Sequence, residues 1–349
     1  MRRLTARIIA LLLLILTALT AASLSNQDTW WIRFLDFPRM QIAAALAVLV
    51  LFYMAVAGWR GIVVTALALA ALGVQVWTLW PYQPIAGRMV AQTPRCADDG
   101  RLRVLSTNVQ RGNQDAGQVI AMIRANDPDI LLVMETNERW DADLAPLRDD
   151  FAHVMQDIPA NATYFGMHVY SRYPFADARF EFPYDADTPL FVGDVAHPRG
   201  TVQFIGVHPR PPQRGQSSTM RDATILTAAQ LARDSDVPSV VAGDYNATPW
   251  NDTARLAMRT GALLDPRQGR GPMVSFDAES AWMKWPLDQI LWQAGPGLLA
   301  FEVLPAVGSD HYPVMADLCL TTNTPGDAIA PRSGDAEAVQ AILDAAREG

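Results

Sequence analysis

Lysine is almost missing from this chain. Among 349 residues with 28 basic side chains, Lys284 is the one lysine. Acidic side chains number 36, so the net charge is −8. The imbalance is uneven. Residues 1–80 set Arg2, Arg3, Arg7, Arg33, Arg39 and Arg60 against Asp28 and Asp36, a balance of +4, which leaves −12 for residues 81–349. A domain that acidic lacks the Lys and Arg surface from which general nucleic-acid binding draws its affinity. Cysteine is nearly as scarce, with Cys96 and Cys319 only. One precedes the first expected strand of the soluble part and the other ends its last. In an oxidising compartment such a pair can close a domain; two unrelated thiols are the alternative. No internal repeat is apparent.

Charge is absent altogether from three stretches of the first 81 residues. Ile8–Gln27, Met40–Trp59 and Ile62–Pro81 are each 20 residues long and uncharged. That is the length that crosses ~30 Å of hydrocarbon, which predicts a module of three transmembrane helices over residues 1–81. Arg2, Arg3 and Arg7 precede the first span and Arg60 lies between the second and third. The positive-inside rule places these four in the cytoplasm, although Arg33 and Arg39 in the opposite loop weaken the bias. Trp30, Trp31, Trp77 and Trp80 would form an outer aromatic belt. The small residues Ala21-Ala22-Ser23 also fit a cleaved signal peptide. With two spans or three, residue 82 emerges on the outer side, so the expected location is multi-pass in the cell membrane with the soluble domain extracytoplasmic.

Residues 82–100 are rich in turn formers and read as a linker. As a flexible coil they would reach on the order of 25 Å. Beyond them, apolar runs that end on polar groups recur. Arg101–Asn108 reads as a strand, Gly117–Ala125 as a helix and Asp129–Glu135 as a second strand. Val169–Pro174 is a short strand into a turn, and Thr201–His208 a third long strand. Arg221–Arg233 has helical spacing. Val240-Val-Ala-Gly-Asp-Tyr-Asn246 follows, then Leu287–Trp292, broken by Asp288. Gly308-Ser-Asp-His311 is a turn entering a last strand. Residues 321–334 are rich in Pro, Gly, Ser and Thr, and Asp335–Glu348 fits a short amphipathic helix; 321–349 is expected to be a mobile tail. Strands and helices in this order argue an α/β sandwich with sheets inside and helices outside.

The polar residues at these strand ends are the candidates for chemistry. Asp244 and Asn246 stand two residues apart, on one face of extended chain. A carboxylate beside a carboxamide suits holding a water against a phosphorus centre. Glu135 ends the run Ile-Leu-Leu-Val-Met, where a charge needs a partner or a metal. Asp288 lies inside an apolar strand. His208 precedes Pro-Arg-Pro-Pro, which fixes its backbone. Asp310 touches His311, so a metal ligand and a charged imidazole can be presented together. Asn108 alone reads as a strand-end cap.

Taken together, Thr-Asn108, Met-Glu135, Tyr-Ser-Arg172, Val-His208, Gly-Asp244-x-Asn246, Leu-Asp288 and Ser-Asp310-His311 resemble the endonuclease/exonuclease/phosphatase superfamily. The resemblance covers residues 101–320 in the family order, and three spans ahead of it resemble a membrane-tethered bacterial branch. It implies a four-layer α/β sandwich and Mg²⁺-dependent cleavage of a phosphate ester or anhydride, with Mn²⁺ as the substitute. It implies Glu135, Asn108 and Asp310 as the metal site and Asp244 as the base for water, with Asn246 beside it. His311, oriented by Asp288, would stabilise charge, and His208 would bind the scissile phosphate or assist the leaving group. One departure is visible: many relatives read Asp-His where this chain has Asp288-Gln289. The expected partners are the lipid bilayer and a phosphate compound, lipid-linked in the leading reading. A tethered nuclease is the competing reading; the net −12 disfavours it unless Arg172, Arg199, Arg210 and Arg214 form a compensating patch. A non-catalytic binding domain is the third.

Overall fold

The computed structural model describes residues 1–25, 27–159, 166–215, 218–324 and 328–348. Its first part is helical: α1 (Arg2–Ala22), the short α2 (Trp30–Phe34), α3 (Arg39–Ala57) and α4 (Ile62–Leu79). Two stretches, Arg2–Ala22 and Arg39–Tyr82, are long and apolar enough to cross a membrane. The second doubles back at Gly58–Gly61, so α1, α3 and α4 pack as three antiparallel helices. Arg2 at the start of α1 donates to the carbonyl of Val56 near the end of α3. At the other end Arg39, Gln75 and Thr20 are linked by hydrogen bonds. The bundle is apolar on its outside: Leu11, Leu51, Phe52 and Val63 are 60%, 70%, 61% and 69% exposed. Exposed large apolar side chains of this kind mark a surface that meets a partner or a membrane.

The second part alternates strands and helices: β1 (Arg101–Asn108), α5 (Ala116–Asn126), β2 (Ile130–Thr136), α6 (Glu138–Leu144), β3 (His153–Asp157), β4 (Gly166–Ser171), β5 (Phe175–Glu181), β6 (Leu190–His197), β7 (Gly200–Val207), α7 (Ser218–Asp234), β8 (Ser239–Asp244), α8 (Asp252–Thr260), β9 (Leu263–Leu264), β10 (Asp288–Gln293), β11 (Gly295–Val303), β12 (Val314–Thr324) and α9 (Asp335–Glu348). Two six-stranded sheets result, in the orders β11-β12-β1-β2-β4-β3 and β5-β6-β7-β8-β10-β9.

The unbroken apolar runs follow from burial on both faces. In β2, Ile130, Leu132 and Met134 point into the core between the sheets, while Leu131 and Val133 pack under α5 and α6. In β8, Val240 and Ala242 face the same inner core and Val241 packs under α7, α8 and α9. Helices, sheet, sheet, helices: this is the four-layer α/β sandwich expected. β1 and β12 run antiparallel with Arg101 opposite Cys319, and Cys96 is bridged to Cys319 at a Cα separation of 5.7 Å.

Two expectations about connecting segments are corrected. Residues 82–100 are not a free coil. Tyr82 is buried and donates to the carbonyl of Pro249 at 2.8 Å, Met89 and Val90 enter the inter-sheet core, and Thr93 bonds the edge strand β11 at Leu298. The turn-forming residues shape a packed strap instead. The mobile tail is also replaced, apart from residues 325–327 and 349, which lie outside the described residues. β12 runs on to Thr324, and α9 buries Val339, Leu343 and Ala346, an i, i+4, i+7 stripe, on the face of α7 and α8. Arg259 pins its first turn through Asp335 at 2.7 and 2.8 Å.

The loop between α1 and α3 is docked on the sandwich. Arg33 pairs with Asp222 at 2.7 Å, both nearly buried. Asp36 receives Arg39 at 2.6 Å and the amide of Asn251 at 2.6 Å, and its carbonyl accepts from Trp250. Phe34 and Phe37 pack against Trp285. Breaking a buried pair such as Arg33–Asp222 from one side costs roughly 3–5 kcal/mol, because the remaining charge stays desolvated.

Candidate active site

Strand ends from both sheets meet at one edge of the sandwich and bring all eight sequence candidates together. β1 delivers Asn108 and β2 delivers Glu135. β7 leads into His208, β8 ends on Asp244, β10 begins with Asp288, and Asp310-His311 precede β12. Glu135 sits at a β-bulge, with φ +62° between Met134 and Thr136. The bulge re-aims its side chain. Its carboxylate accepts from Asn108 Nδ2 at 2.8 Å and from the Arg111 amide at 3.2 Å.

Asp244 is the hub. Its Oδ1 accepts from the Asn246 amide at 2.8 Å. Its Oδ2 is 3.4 Å from Asn108 Nδ2, 3.5 Å from His311 Nε2 and 3.8 Å from His208 Nε2. The antiparallel register sets Asp288 directly opposite Asp244, and Asp288 Oδ2 holds His311 Nδ1 at 2.7 Å. Asn246, also at positive φ, donates from Nδ2 to the Pro209 carbonyl at 2.9 Å and so ties the Asp244 turn to the His208 turn.

Burial opposes the charge on His311, but Asp288 and then Asp244 outweigh it and carry its pKa up to about 10. The ring is an imidazolium at neutral pH. Burial raises the Asp244 carboxyl and His311 opposes, which makes Asp244 a stronger proton acceptor than a solvated aspartate. Burial raises Asp310 to about 6, with Glu135 and Asp244 adding to the effect against His311. Burial lowers the pKa of His208 against the pull of Asp244, and His311 adds to the lowering, which favours the neutral ring.

The donor chemistry fits a divalent cation. Asp244, Asp288 and His311 have ligand atoms within 4.8 Å of one another and could hold one. In that group, however, His311 has a carboxylate at each ring nitrogen and, as an imidazolium, no lone pair to give. Glu135, Asn108 and Asp310 offer oxygen only, and Glu135 and Asp310 are part-buried carboxylates that repel each other. Hard cations prefer such a set.

Residues that sequence reading passed over hold this geometry. Ser309 Oγ donates to the Asn108 carbonyl at 2.7 Å and receives the His311 amide at 3.0 Å. Ser275 Oγ receives the amide of Asp288 at 2.9 Å. Phe276 packs on the His311 ring at 4.8 Å between centroids. Gln289, the departure from the family pattern, is buried; its carbonyl accepts from Arg267 at 3.0 Å and its amide holds the Ala247 carbonyl at 2.9 Å. Arg221, fully buried in α7, donates to the Asn246 carbonyl at 3.2 Å. Of these, Ser309 had a local signal in Gly-Ser-Asp-His and Gln289 had one as the residue after Asp288; Ser275, Phe276 and Arg221 had none.

Of the four arginines whose patch would favour a nuclease, Arg172, Arg199 and Arg210 do not gather as free charge at the site. Arg172 follows β4 at the far end of the sheet and pairs with Asp127, and Arg199 in the β6–β7 turn, also at the far end, pairs with Asp99. Arg210 is near the site but holds Asp185 at 3.0 Å.

Residues 105–311 match the Endonuclease/Exonuclease/phosphatase family. The chain belongs to that family. It is a metal-dependent phosphoester hydrolase of this kind. No match was found among curated proteins. Solved structures of the same fold include a D. rerio TDP2 humanized by 14 mutations, 14% identical, with a TM-score of 0.54 over 63% of this chain and 99% of that one. D. rerio TDP2 complexed with a single strand DNA product is 13% identical, with a TM-score of 0.54 over 62% and 98%. A family protein from Bacteroides thetaiotaomicron is 14% identical, with a TM-score of 0.50 over 65% and 96%. At these identities the likeness is one of fold.

Proposed function

We propose that this protein is a membrane-anchored, outward-facing, Mg²⁺-dependent phosphohydrolase that cleaves a phosphate ester or anhydride on a membrane lipid. The observation that carries this reading is the docking of the helical module beside the catalytic edge. Gln41, in the first turn of α3, donates to the Trp282 carbonyl at 2.8 Å. The loop holding the 68%-exposed Trp282 runs from Phe276, which packs on His311. The catalytic groups therefore lie within one loop of the level where an apolar helix begins. Trp30, Trp31, Trp77 and Trp80, each 42–78% exposed, surround the same end of the bundle and fit an aromatic belt.

In the proposed reaction, Mg²⁺ at Glu135, Asn108 and Asp310 supplies positive charge to the phosphate oxygens when bound. Asp244 takes the proton of an attacking water at Oδ2, the oxygen that faces Asn108, His311 and His208, with Oδ1 fixed by the Asn246 amide. The His311 imidazolium, held by Asp288, stabilises the charge that builds on the phosphorus oxygens. Neutral His208 positions the scissile phosphate. Asp244→Asn and His311→Ala are each expected to cut turnover by roughly 10²-fold or more.

A tethered nuclease is the competing reading, since a D. rerio neighbour of this fold is complexed with single-strand DNA. Paired Arg172, Arg199 and Arg210 and the −12 balance weigh against duplex binding. The test is full-length protein in vesicles, given lipid monophosphate, lipid pyrophosphate, duplex DNA and single-stranded DNA, each with Mg²⁺ and with chelator. The lipid phosphates should be preferred. DNA cleaved far faster than every lipid would install the nuclease instead. A periplasmic-only reporter fused after residue 349 should be active; an inactive one, with an active cytoplasmic reporter, would reverse the orientation.

A further inference from the structure

A second basic cleft lies at the junction of the helical module and the sandwich, away from the catalytic edge. Its volume is about 710 Å³, and it is walled by the last turn of α4, by α8 and by the segment entering α9. Arg33, Arg255, Arg259 and Arg332 line it together with Trp77. Two of these arginines are committed: Arg259 to Asp335, and one nitrogen of Arg33 to Asp222. Arg255 and Arg332 have no side-chain ion pair within 4 Å among the described residues, although the Arg332 backbone amide donates to Asp335 at 2.8 Å and its charge acts on that carboxylate. Arg33 is 8% exposed, yet its Nε–H is buried with no acceptor among the described residues. A desolvated guanidinium donor without an acceptor is costly to leave unmet. Asp252 and Asp335 also line the cleft, so its four guanidinium groups exceed its two carboxylates.

The shape of the opening selects the anion. Trp77 is 78% exposed and stands in the last turn of an apolar helix, with Val76 49% exposed beside it. A guanidinium pocket bordered by an interfacial indole matches a lipid with a phosphate head and an acyl tail. With a membrane around α1, α3 and α4, as in the reading above, we propose that this cleft binds the phosphate of an anionic phospholipid of the outer leaflet. Its acyl chain lies along α4 past Trp77. The site is not catalytic, but a chain of buried contacts links it to the Asp244–Asn246 turn. Arg33 holds Asp222, Asp222 holds Arg221 at 2.7 and 2.9 Å, and Arg221 reaches the Asn246 carbonyl. A phosphate held by Arg255 and Arg332 would sit beside the Arg33 guanidinium from which that relay starts.

The test is direct binding, read without hydrolysis. Full-length protein is taken from vesicles of phosphatidylcholine with and without phosphatidylglycerol, and retained lipid is measured by native mass spectrometry. Wild type should keep one phosphatidylglycerol in preference to phosphatidylcholine. The double variant Arg255→Ala/Arg332→Ala should weaken that retention by roughly tenfold or more, as loss of charge-assisted contacts predicts. Arg3→Ala/Arg7→Ala, at the opposite end of the bundle, should leave this molecule bound. Equal retention by wild type and the Arg255/Arg332 variant overturns the site. So does displacement of the lipid by inorganic phosphate alone, which would make the cleft a free-anion site. A unfolded variant is recognised by its thermal melt, and Arg255→Lys/Arg332→Lys then replaces it, with weakened bidentate contacts and the charge kept.

Discussion

Gly243→Ala should cost stability and catalysis together, because one backbone contact places Asp244 and holds two strands. Gly243 has φ +144°, a region closed to other residues, and precedes Asp244. It pairs with Val207 of β7, which precedes His208. A Cβ at this position would stand 1.8 Å from the Val207 carbonyl oxygen and 2.9 Å from its carbon, where ordinary contact begins near 3.4 Å. Both atoms are backbone, so relief requires β7 and β8 to part by roughly 1.5 Å. The strain and the overpacking each cost about 1–3 kcal/mol. The displacement falls on the two residues that follow, and it widens the 3.8 Å gap between Asp244 Oδ2 and His208 Nε2. A misplacement of about 1 Å costs on the order of 10² in rate. Gly295→Ala is the control. It has φ +130° but its nearest heavy atom would be Pro238 Cγ at 3.8 Å, and it lies at the far end of the sheet. The assay is kcat/KM on a phosphate ester the wild type turns over, with thermal unfolding of the same samples. Gly295→Ala should lose stability and keep turnover; Gly243→Ala should lose both. Turnover in Gly243→Ala within twofold of the control would refute the account of how Asp244 is placed.

Glu135→Gln should remain folded and lose most turnover, and excess chelator should do the same to wild type; full activity in chelator would remove the metal from the mechanism. Cys96→Ser should lower stability markedly, because the bridge closes a separation of 223 residues, for which chain entropy gives about 5 kcal/mol; an unfolding midpoint insensitive to reductant would contradict this. His168 is buried between Thr136 Oγ1 and Asp141 Oδ1, each at 3.0 Å, and burial lowers its pKa against the pull of Asp141. A neutral buried histidine stabilises fully above its unfolded pKa of about 6.5, and that stability is lost as pH falls toward the folded value. His197 and His208 are lowered in the same sense, so His168→Gln should remove about one proton's slope from the acid limb of stability against pH. An unchanged slope in denaturant titrations would show that His168 does not titrate with unfolding.

What could be read from the sequence was what burial on both faces writes into it. β2 and β8 are uninterrupted apolar runs because each is packed above and below, and a polar residue closing such a run marks a strand end where chemistry gathers. β5 left no such mark: its Asp177, Arg179 and Glu181 face outward on an edge strand, and its partner β6 is interrupted by Gly193, where a Cβ would meet Ala178 at 2.8 Å. β11 begins Gly-Pro-Gly, which reads as a turn, yet it pairs along β12 through two register shifts. The supports of the site were the least legible. Arg221 sits in a helix whose apolar periodicity is weak, and the partner that fixes Arg33 lies 189 residues along the chain. No local pattern encodes a contact of that separation.

The same long-range pairing bears on the orientation of the helical module. Counted along the sequence, Arg33 and Arg39 oppose the charge bias of Arg2, Arg3, Arg7 and Arg60. In the fold each has a buried carboxylate, Asp222 for Arg33 and Asp36 for Arg39. Two neutralised pairs add nothing to the bias, whereas Arg2, Arg3, Arg7 and Arg60 line one pocket at the opposite end with no acidic residue among them. In the outward orientation proposed above, the positive-inside rule would act on those four arginines, at the end of the bundle opposite the sandwich. The arginines that weaken the outward reading in the sequence are the ones that clamp the module to the Asp244–Asn251 turn. Tethering alone would need no such clamp. A buried ion pair and a relay to Asn246 make sense if the helices set the position of the catalytic edge relative to the bilayer, so that a headgroup reaches Asp244 without leaving its leaflet.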